Sequence, residues 1–193
     1  MKNPEHRVRT TKKRLREALT ALLAEKPLRS ITVKELCERA ELNRGTFYAH
    51  YADVFDLMEQ IEAEIEAEFV TALNPSAADI AEPRPSLHVT KSVFACLEKN
   101  ADFCRVTLGP NGDQAFAYRL IQAGRTRYME SCKRAYPNVS QARIDLFYTF
   151  IIGGCISLIS CALQNGGEEG LSALAADTER IMLQGIGFLQ EAR

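Results

Sequence analysis

Hydrogen-bond donors flank two small residues in the segment LNRGTFYAHY, residues 42–51. Each residue of a helix advances by about 100°, so Phe47 and Tyr51 share one face while Gly45 and Ala49 lie opposite them. The first face is aromatic and suits a protein core, whereas the second is almost bare. The pattern predicts a short helix that presses its bare face against a large surface rich in acceptors. The flanking donors are Arg44, Thr46 and Tyr48.

Positive charge is concentrated in the same part of the chain. Residues 1–51 contain 12 Lys and Arg against 6 Asp and Glu, whereas the remaining 142 residues contain 12 against 19. A basic segment on an acidic protein is typical of a surface that binds polyanions. We expect a basic arm to reach the phosphates of a polyanion, and its members are Arg7, Arg9, Lys12, Lys13, Arg14 and Arg16.

The histidines and cysteines do not form a catalytic or metal-binding pattern. The six cysteines are far apart, without a CxxC pair, and the chain has only three histidines. No glycine-rich phosphate loop follows a predicted strand. We therefore expect neither an enzyme nor a cofactor or metal site. The basic amino terminus is not followed by an apolar run, so we expect a cytoplasmic protein with reduced thiols.

Capping residues and helical periodicity predict an all-α chain. A first helix ends near Glu25 after a cap at Thr10 or Thr11, and Thr32 opens a second helix through a capping box. Asn43 caps a third helix, and Asp53 caps a fourth. The fourth helix carries a periodic apolar face formed by Val54, Met58, Ile61, Ile65 and Phe69.

A proline-rich segment at residues 74–85 divides the fourth helix from the rest of the chain. We place one domain at residues 1–52 and a second at residues 53–193, with the fourth helix connecting them. Further helices are predicted over about 87–100, 101–109, 113–135 and 170–191, and one more begins after Ser140.

Residues 146–163, LFYTFIIGGCISLISCAL, lack any charge. Their length fits either a membrane span or a helix that is buried both against its own core and against a partner. The absence of flanking lysine or arginine clusters favours the second interpretation. Small residues that permit close helix approach are Gly153, Gly154, Ser157, Ser160 and Cys161.

Residues 31–57, ITVKELCERAELNRGTFYAHYADVFDL, resemble the DNA-binding domain of TetR/AcrR transcriptional regulators. The resemblance implies a helix-turn-helix whose second helix enters the major groove. It implies phosphate contacts from Thr32, Thr46 and Tyr48. It implies base-edge contacts from Arg44, Gly45, Ala49 and His50.

The segment departs from the family pattern at four positions. Glu41 replaces the usual glycine, Asn43 a serine and Tyr51 a phenylalanine. Val54 stands where a phosphate-binding lysine is frequent. We therefore expect the fourth helix to bind phosphate only through its backbone amides, with Asp53 adding an unfavourable charge.

Residues 108–120 and 147–163 are similar to one subgroup of the ligand-binding domains in this family. The resemblance implies a homodimer in which the last two helices of each subunit form a four-helix bundle. It also implies a pocket for an unidentified small-molecule effector, enclosed by the other helices. Pocket candidates are Phe94, Phe103, Phe116, Arg119, Tyr128, Phe147 and Phe150, and dimer candidates are Gly153, Gly154, Ser157 and Cys161.

The sequence therefore predicts an all-α homodimer that binds a palindromic double-stranded operator and represses transcription until an effector binds. The alternative is a helical dimeric interaction module that has lost DNA binding. The missing lysine at Val54 favours this alternative, and the basic charge of residues 1–51 argues against it.

Overall fold

A computed structural model describes residues 4–74, 87–107, 114–165 and 170–185 of the chain. These residues form α-helices and one short 3-10 turn, without a strand, which confirms the all-α prediction. The helices are α1 Pro4–Glu25, α2 Val33–Arg39, α3 Arg44–Tyr48, α4 Val54–Ala72, α5 Leu87–Lys99, α6 Ala101–Thr107, α7 Gln114–Ala135, α8 Gln141–Asn165 and α9 Gly170–Gly185.

Helix α1 begins earlier than the sequence predicted. The hydroxyl of Thr10 donates to the carbonyl of His6 at 2.8 Å, so Thr10 lies inside the helix instead of capping it. Pro4 is tolerated at the start because the first amides of a helix have no intrahelical acceptor. The predicted proline-rich segment beyond Asn74 and the predicted last helix beyond Gly185 lie outside the described residues.

The amino-terminal helices pack around a core that continues along α4. Leu15, Leu36, Phe47 and Leu57 are fully buried in this core. The predicted apolar face of α4 is buried as well, which confirms its periodicity. We call residues 4–52 the head. Because the head and α4 share one core, α4 carries any movement of the head.

The described helices from α5 onward form the body. Helix α9 packs against α5 and α8, while α4 packs against α5 and α7. The body contains separate small clusters, one around Phe94 and Leu97 and another around Met129 and Cys132. The head core also includes Phe103 of α6 and Phe116 of α7, so head and body are in direct contact.

Candidate nucleic-acid interface

Local hydrogen bonds shape the turn between α2 and α3. The hydroxyl of Thr32 accepts from the amide of Glu35 at 3.3 Å, which starts α2 as predicted. At its other end, the amide of Leu42 donates to the carbonyl of Cys37 at 3.0 Å. This 6→1 bond requires a left-handed residue between them, and Glu41 adopts a φ of 53°. Glutamate thus occupies the position where the family pattern has glycine.

Helix α3 is anchored by its aromatic face. Asn43 caps it by accepting from the amide of Thr46 at 3.2 Å. The ring of Phe47 is fully buried, and that of Tyr51 lies 5.7 Å from it between centroids. Burial raises the pKa of Tyr51 to about 12, so its hydroxyl keeps its proton at neutral pH. The buried face predicted from the spacing is confirmed.

The opposite face of α3 is open to solvent. Tyr48 is 58% exposed, and its ring packs edge-on against Phe47 at 5.4 Å. Gly45 contributes no side chain to this face, and a Cβ added there would lie 3.1 Å from the cap oxygen of Asn43. We call this surface the α3 face. Its exposed members are Arg44, Gly45, Tyr48 and Ala49, and Thr46 and His50 at its edges are half-buried.

Three further predicted phosphate contacts are exposed on the same head. Thr32 uses an oxygen lone pair for its cap, so its hydroxyl proton is left for an external acceptor. Arg9 and Lys13 project from the solvent side of α1. Lys13 lies 3.7 Å from Glu17, but both side chains are mostly exposed and such a pair contributes little.

Two cations of the predicted arm have partners within the molecule. Lys12 lies 3.6 Å from Glu64 and 6.0 Å from the ring centroid of Tyr51. Arg16 donates to the side-chain oxygen of Asn100 at 2.5 Å, in the body. The expectation that Arg16 reaches DNA is therefore wrong, because its guanidinium is occupied between head and body.

The start of α4 differs from the phosphate site that the sequence predicted. The carboxylate of Asp53 accepts from the amide of Asp56 at 2.9 Å, which confirms the predicted cap. Asp56 accepts in turn from the amide of Ala52 at 2.7 Å. This amide and the side chain of Gln60 hold the pKa of Asp56 below its usual value. Two carboxylates thus bind amides and repel phosphate at this helix end, while Val54 is buried.

The small residues of α8 form a second open surface. Gly153, Gly154, Ser157 and Cys161 are exposed. A Cβ added at either glycine would meet nothing within 4 Å. We call this surface the α8 face, and its large apolar members are Leu146, Phe150 and Leu158.

Helix α8 has the length and composition of a membrane span. Within the chain, only 28% of its apolar stretch is buried. The small cluster around Ile159 accounts for one of its sides. The second apolar side therefore needs another cover, as a helix that is apolar all round must be enclosed.

The candidate pocket residues do not meet at one place among the described residues. Phe103 and Phe116 are paired at 6.4 Å in the head core, whereas Tyr128 and Phe147 are paired at 6.5 Å between α7 and α8. Phe94 is buried in a third cluster. Phe150 is 75% exposed and lies on the α8 face, so it does not line the interior of the subunit.

The positive charge of Arg119 is balanced by two carboxylates of helix α4. Its guanidinium donates to Glu62 at 2.6 Å and to Glu66 at 3.1 Å, and these carboxylates raise its pKa. Glu62 is only 3% exposed. As a pocket candidate, Arg119 therefore offers little attraction to an anionic effector, because these carboxylates already balance its charge.

Sequence reasoning missed Asn100, which bonds to Arg16 of the head. It stands directly after Lys99, at the end of α5. An asparagine at a helix end is typical of a helix cap. Its position in the sequence therefore gives no indication of Arg16, 84 residues away, as its partner.

Comparison with known families matches both parts of the chain. Residues 15–61 match bacterial regulatory proteins of the tetR family, and residues 86–184 match a transcriptional regulator C-terminal region. A curated relative, the uncharacterized HTH-type transcriptional regulator YxbF of Bacillus subtilis (strain 168), is 31% identical over 77 residues, or 40% of this chain. The chain spans only 19% of the length of that relative.

Solved structures show the same fold along nearly the whole chain. A TetR-like transcriptional regulator from Rhodococcus sp. RHA1 has a TM-score of 0.66 at 18% identity, covering 92% of this chain and 96% of that one. The transcriptional regulator FadR from Bacillus subtilis, in complex with stearoyl-CoA, has a TM-score of 0.62 at 16% identity, covering 90% and 98%. At these identities the likeness concerns the fold alone.

Proposed function

Because the chain belongs to the TetR family of bacterial regulatory proteins, we propose that it is a repressor of the cytoplasm that binds a palindromic operator as a homodimer. It is a transcriptional regulator with a helix-turn-helix, and its family and fold are those of regulators and not of enzymes. In our proposal, a small-molecule effector bound in the body releases the operator.

The observation that carries the DNA-binding part of the proposal is the α3 face. The buried ring of Phe47 holds α3 against the head, while Gly45 leaves the outer side without a side chain. A helix of this kind approaches base edges closely. Arg44 is exposed at the start of α3 and offers two donors to a guanine. Contacts from Ala49 and His50 complete the proposed base-reading set.

Phosphate contacts position this helix on the duplex. Thr46 and Tyr48 present hydroxyl groups on the α3 face, Thr32 presents one at the start of α2, and hydroxyls bind phosphate oxygens. Arg9 and Lys13 extend the contact along α1. The first turns of α1 lie before the residue range that matches the family, 15–61.

The α8 face is the proposed dimer interface. Phe150 and Leu146 are exposed there beside the two glycines, and Ile181 of α9 is 56% exposed. A second copy of the same surface buries these side chains and lets two α8 helices approach closely. Twofold symmetry of the protein then requires two half-sites in the operator.

The effector remains unidentified. The FadR structure carries stearoyl-CoA, so one regulator of this fold binds a long-chain acyl thioester. In this chain we keep Phe94, Phe103, Phe116, Tyr128 and Phe147 as candidates for contact with an effector. Their separate clusters imply that an effector contacts some of them and not all.

The start of α4 favours the rival function, a dimeric interaction module without DNA binding. Asp53 and Asp56 place negative charge on either side of Val54, the position where the family pattern frequently has a lysine. The two proposals differ in their response to salt.

Salt dependence of operator binding separates the two functions. If Arg9, Lys13 and Arg14 of both subunits contact phosphates, about six are neutralised per dimer and log K falls with log salt at a slope of about -5. A slope near zero, or no binding to any duplex at low salt, favours the interaction module. Arg14→Ala should weaken all duplexes alike, whereas Arg127→Ala, an exposed cation of the body, should not change the slope.

A further inference from the structure

We infer that Asn100 and Arg16 position the head on the body, and thereby set the distance between the two α3 helices of a dimer. The inference rests on the proposed function, since it concerns how a dimer matches two half-sites. Neither residue belongs to the α3 face or the α8 face.

A single side chain joins three helices at this point. The amide oxygen of Asn100 accepts from Arg16 of α1 at 2.5 Å. Its amide nitrogen donates to Glu68 of α4 at 3.2 Å and to the carbonyl of Cys96 within α5 at 2.9 Å. Asn100 is only 4% exposed, so its end of these bonds is shielded from competing water, and the bond to Cys96 is fully buried. The side chain uses both of its amide groups to hold α1 and α4 against α5.

Charged neighbours strengthen the contact. Lys99 lies 2.7 Å from the carboxylate of Glu68 and, with Asn100 and Arg16, holds the pKa of Glu68 below its usual value. The guanidinium of Arg16 also lies 5.5 Å from the ring centroid of Phe103. Arg16 therefore makes a charge-assisted hydrogen bond and a cation–π contact with the body at once. We call Arg16, Glu68, Asn100 and Phe103 the joint.

The geometry of the chain makes this contact a positioning device. The head continues into the rest of the molecule only through the residues before α4. The core that the head shares with α4, Phe103 and Phe116 holds it by apolar contacts, which do not by themselves fix its angle. Arg16 of α1 adds a directional hydrogen bond to the body on another helix. Arg119 of α7, bonded to Glu62 and Glu66, fixes α4 itself but does not touch α1.

The joint also connects the head to the helices that pack on α9. Helix α5 packs against α9, and α6 packs against α8. Asn100 is the single residue between α5 and α6. If it is displaced, either its bond to Arg16 stretches or α1 moves with it. Loss of this bond should widen the range of head positions in the dimer.

Two variants remove the bond in different ways. Asn100→Leu removes all side-chain bonds of the asparagine while keeping a similar volume. Arg16→Met keeps an unbranched apolar stem beside Phe103 and removes only the guanidinium. If Asn100→Leu fails to fold, Arg16→Met carries the test. The matched control is Glu64→Gln, which removes an exposed contact between α4 and α1, at Lys12.

The measurement is a binding titration against a selected operator and against versions with one base pair added or removed at the centre. Each base pair shifts the half-sites by about 3.4 Å and rotates them by about 35°. We expect wild type and Glu64→Gln to lose at least about tenfold in affinity on either change. Asn100→Leu and Arg16→Met should lose less than about threefold, because their heads swivel to follow the half-sites.

The outcomes separate the inference from the proposed function. Variants that unfold at lower temperature but keep the wild-type spacing preference overturn the inference, since they show a structural role alone. A wild-type protein that binds no duplex overturns the proposed function and the spacing role with it. Relaxed spacing in both joint variants, with the control unchanged, supports the inference.

Discussion

The α3 face and the α8 face both contain exposed glycines, but polar and basic residues surround the first and apolar residues surround the second. Arg44 and Tyr48 adjoin Gly45, in a part of the chain with excess positive charge. Leu146 and Phe150 accompany the glycines of α8, in a stretch without charge. Small residues only permit close approach. The neighbouring groups decide whether nucleic acid or a second protein surface is the partner.

The largest expected effect comes from placing a charge in the α8 face. Gly154→Arg would bury an unpaired cation in the proposed dimer interface, which costs several kcal/mol. We expect monomers in sedimentation and a loss of operator affinity of about 1,000-fold, because two half-sites are no longer bound together.

Ala63→Arg is the matched control for this change, since it adds the same side chain at an exposed position of α4. It should remain a dimer. Gly154→Arg protein that sediments as an unaltered dimer would show that the α8 face is not the interface.

A side chain on the α3 face should abolish DNA binding while sparing the dimer. Gly45→Leu holds α3 away from the groove, and we expect operator affinity to fall by about 100-fold, or ~2.7 kcal/mol. The added Cβ also crowds the cap oxygen of Asn43 at 3.1 Å, which offsets the better helix propensity of leucine. Unfolding free energy should therefore change by less than about 1 kcal/mol.

Circular dichroism and sedimentation check that Gly45→Leu stays folded and dimeric. Ala24→Leu, at an exposed position of α1 in the same head, should bind the operator normally. Normal binding by Gly45→Leu would remove the α3 face from the DNA interface.

Arg44→Ala and Tyr48→Phe should separate base reading from phosphate contact within the α3 face. We expect Arg44→Ala to cost about 1 to 3 kcal/mol and to relax preference at one base pair. Tyr48→Phe removes one hydroxyl and should cost about 1 kcal/mol on every duplex. Titrations against single-base operator variants make the distinction, and a uniform loss for Arg44→Ala would assign Arg44 to the phosphates.

The smallest expected effect is a change in stability at Glu41, in the turn between α2 and α3. Glu41 holds a φ of 53°, which a residue with a Cβ adopts at a cost of about 1 to 2 kcal/mol. Glu41→Gly removes this strain but gives the unfolded chain more freedom, so we expect a net gain of about 0.5 kcal/mol in denaturant unfolding. Destabilisation instead would mean that the Glu41 side chain makes a contact worth more than its strain.

Features set by neighbouring residues could be predicted from the sequence, and features set by distant ones could not. Thr32, Asn43 and Asp53 are predictable as caps because a cap bonds an amide only three residues later in the chain. The structure shows these three bonds. The outward direction of Phe150 depends on which side of α8 meets the body. The partner of Arg16 depends on how α1 meets α5, which no local pattern records.

Selection of bound duplexes from a random pool tests the central claim most directly, because it reports DNA binding and symmetry together. We expect a palindromic consensus whose two half-sites are related by the twofold axis of the dimer. Gly154→Arg, run in parallel, should enrich no palindrome. Failure of the wild-type protein to enrich any sequence, or enrichment of a single unpaired site, would contradict a symmetric DNA-binding dimer.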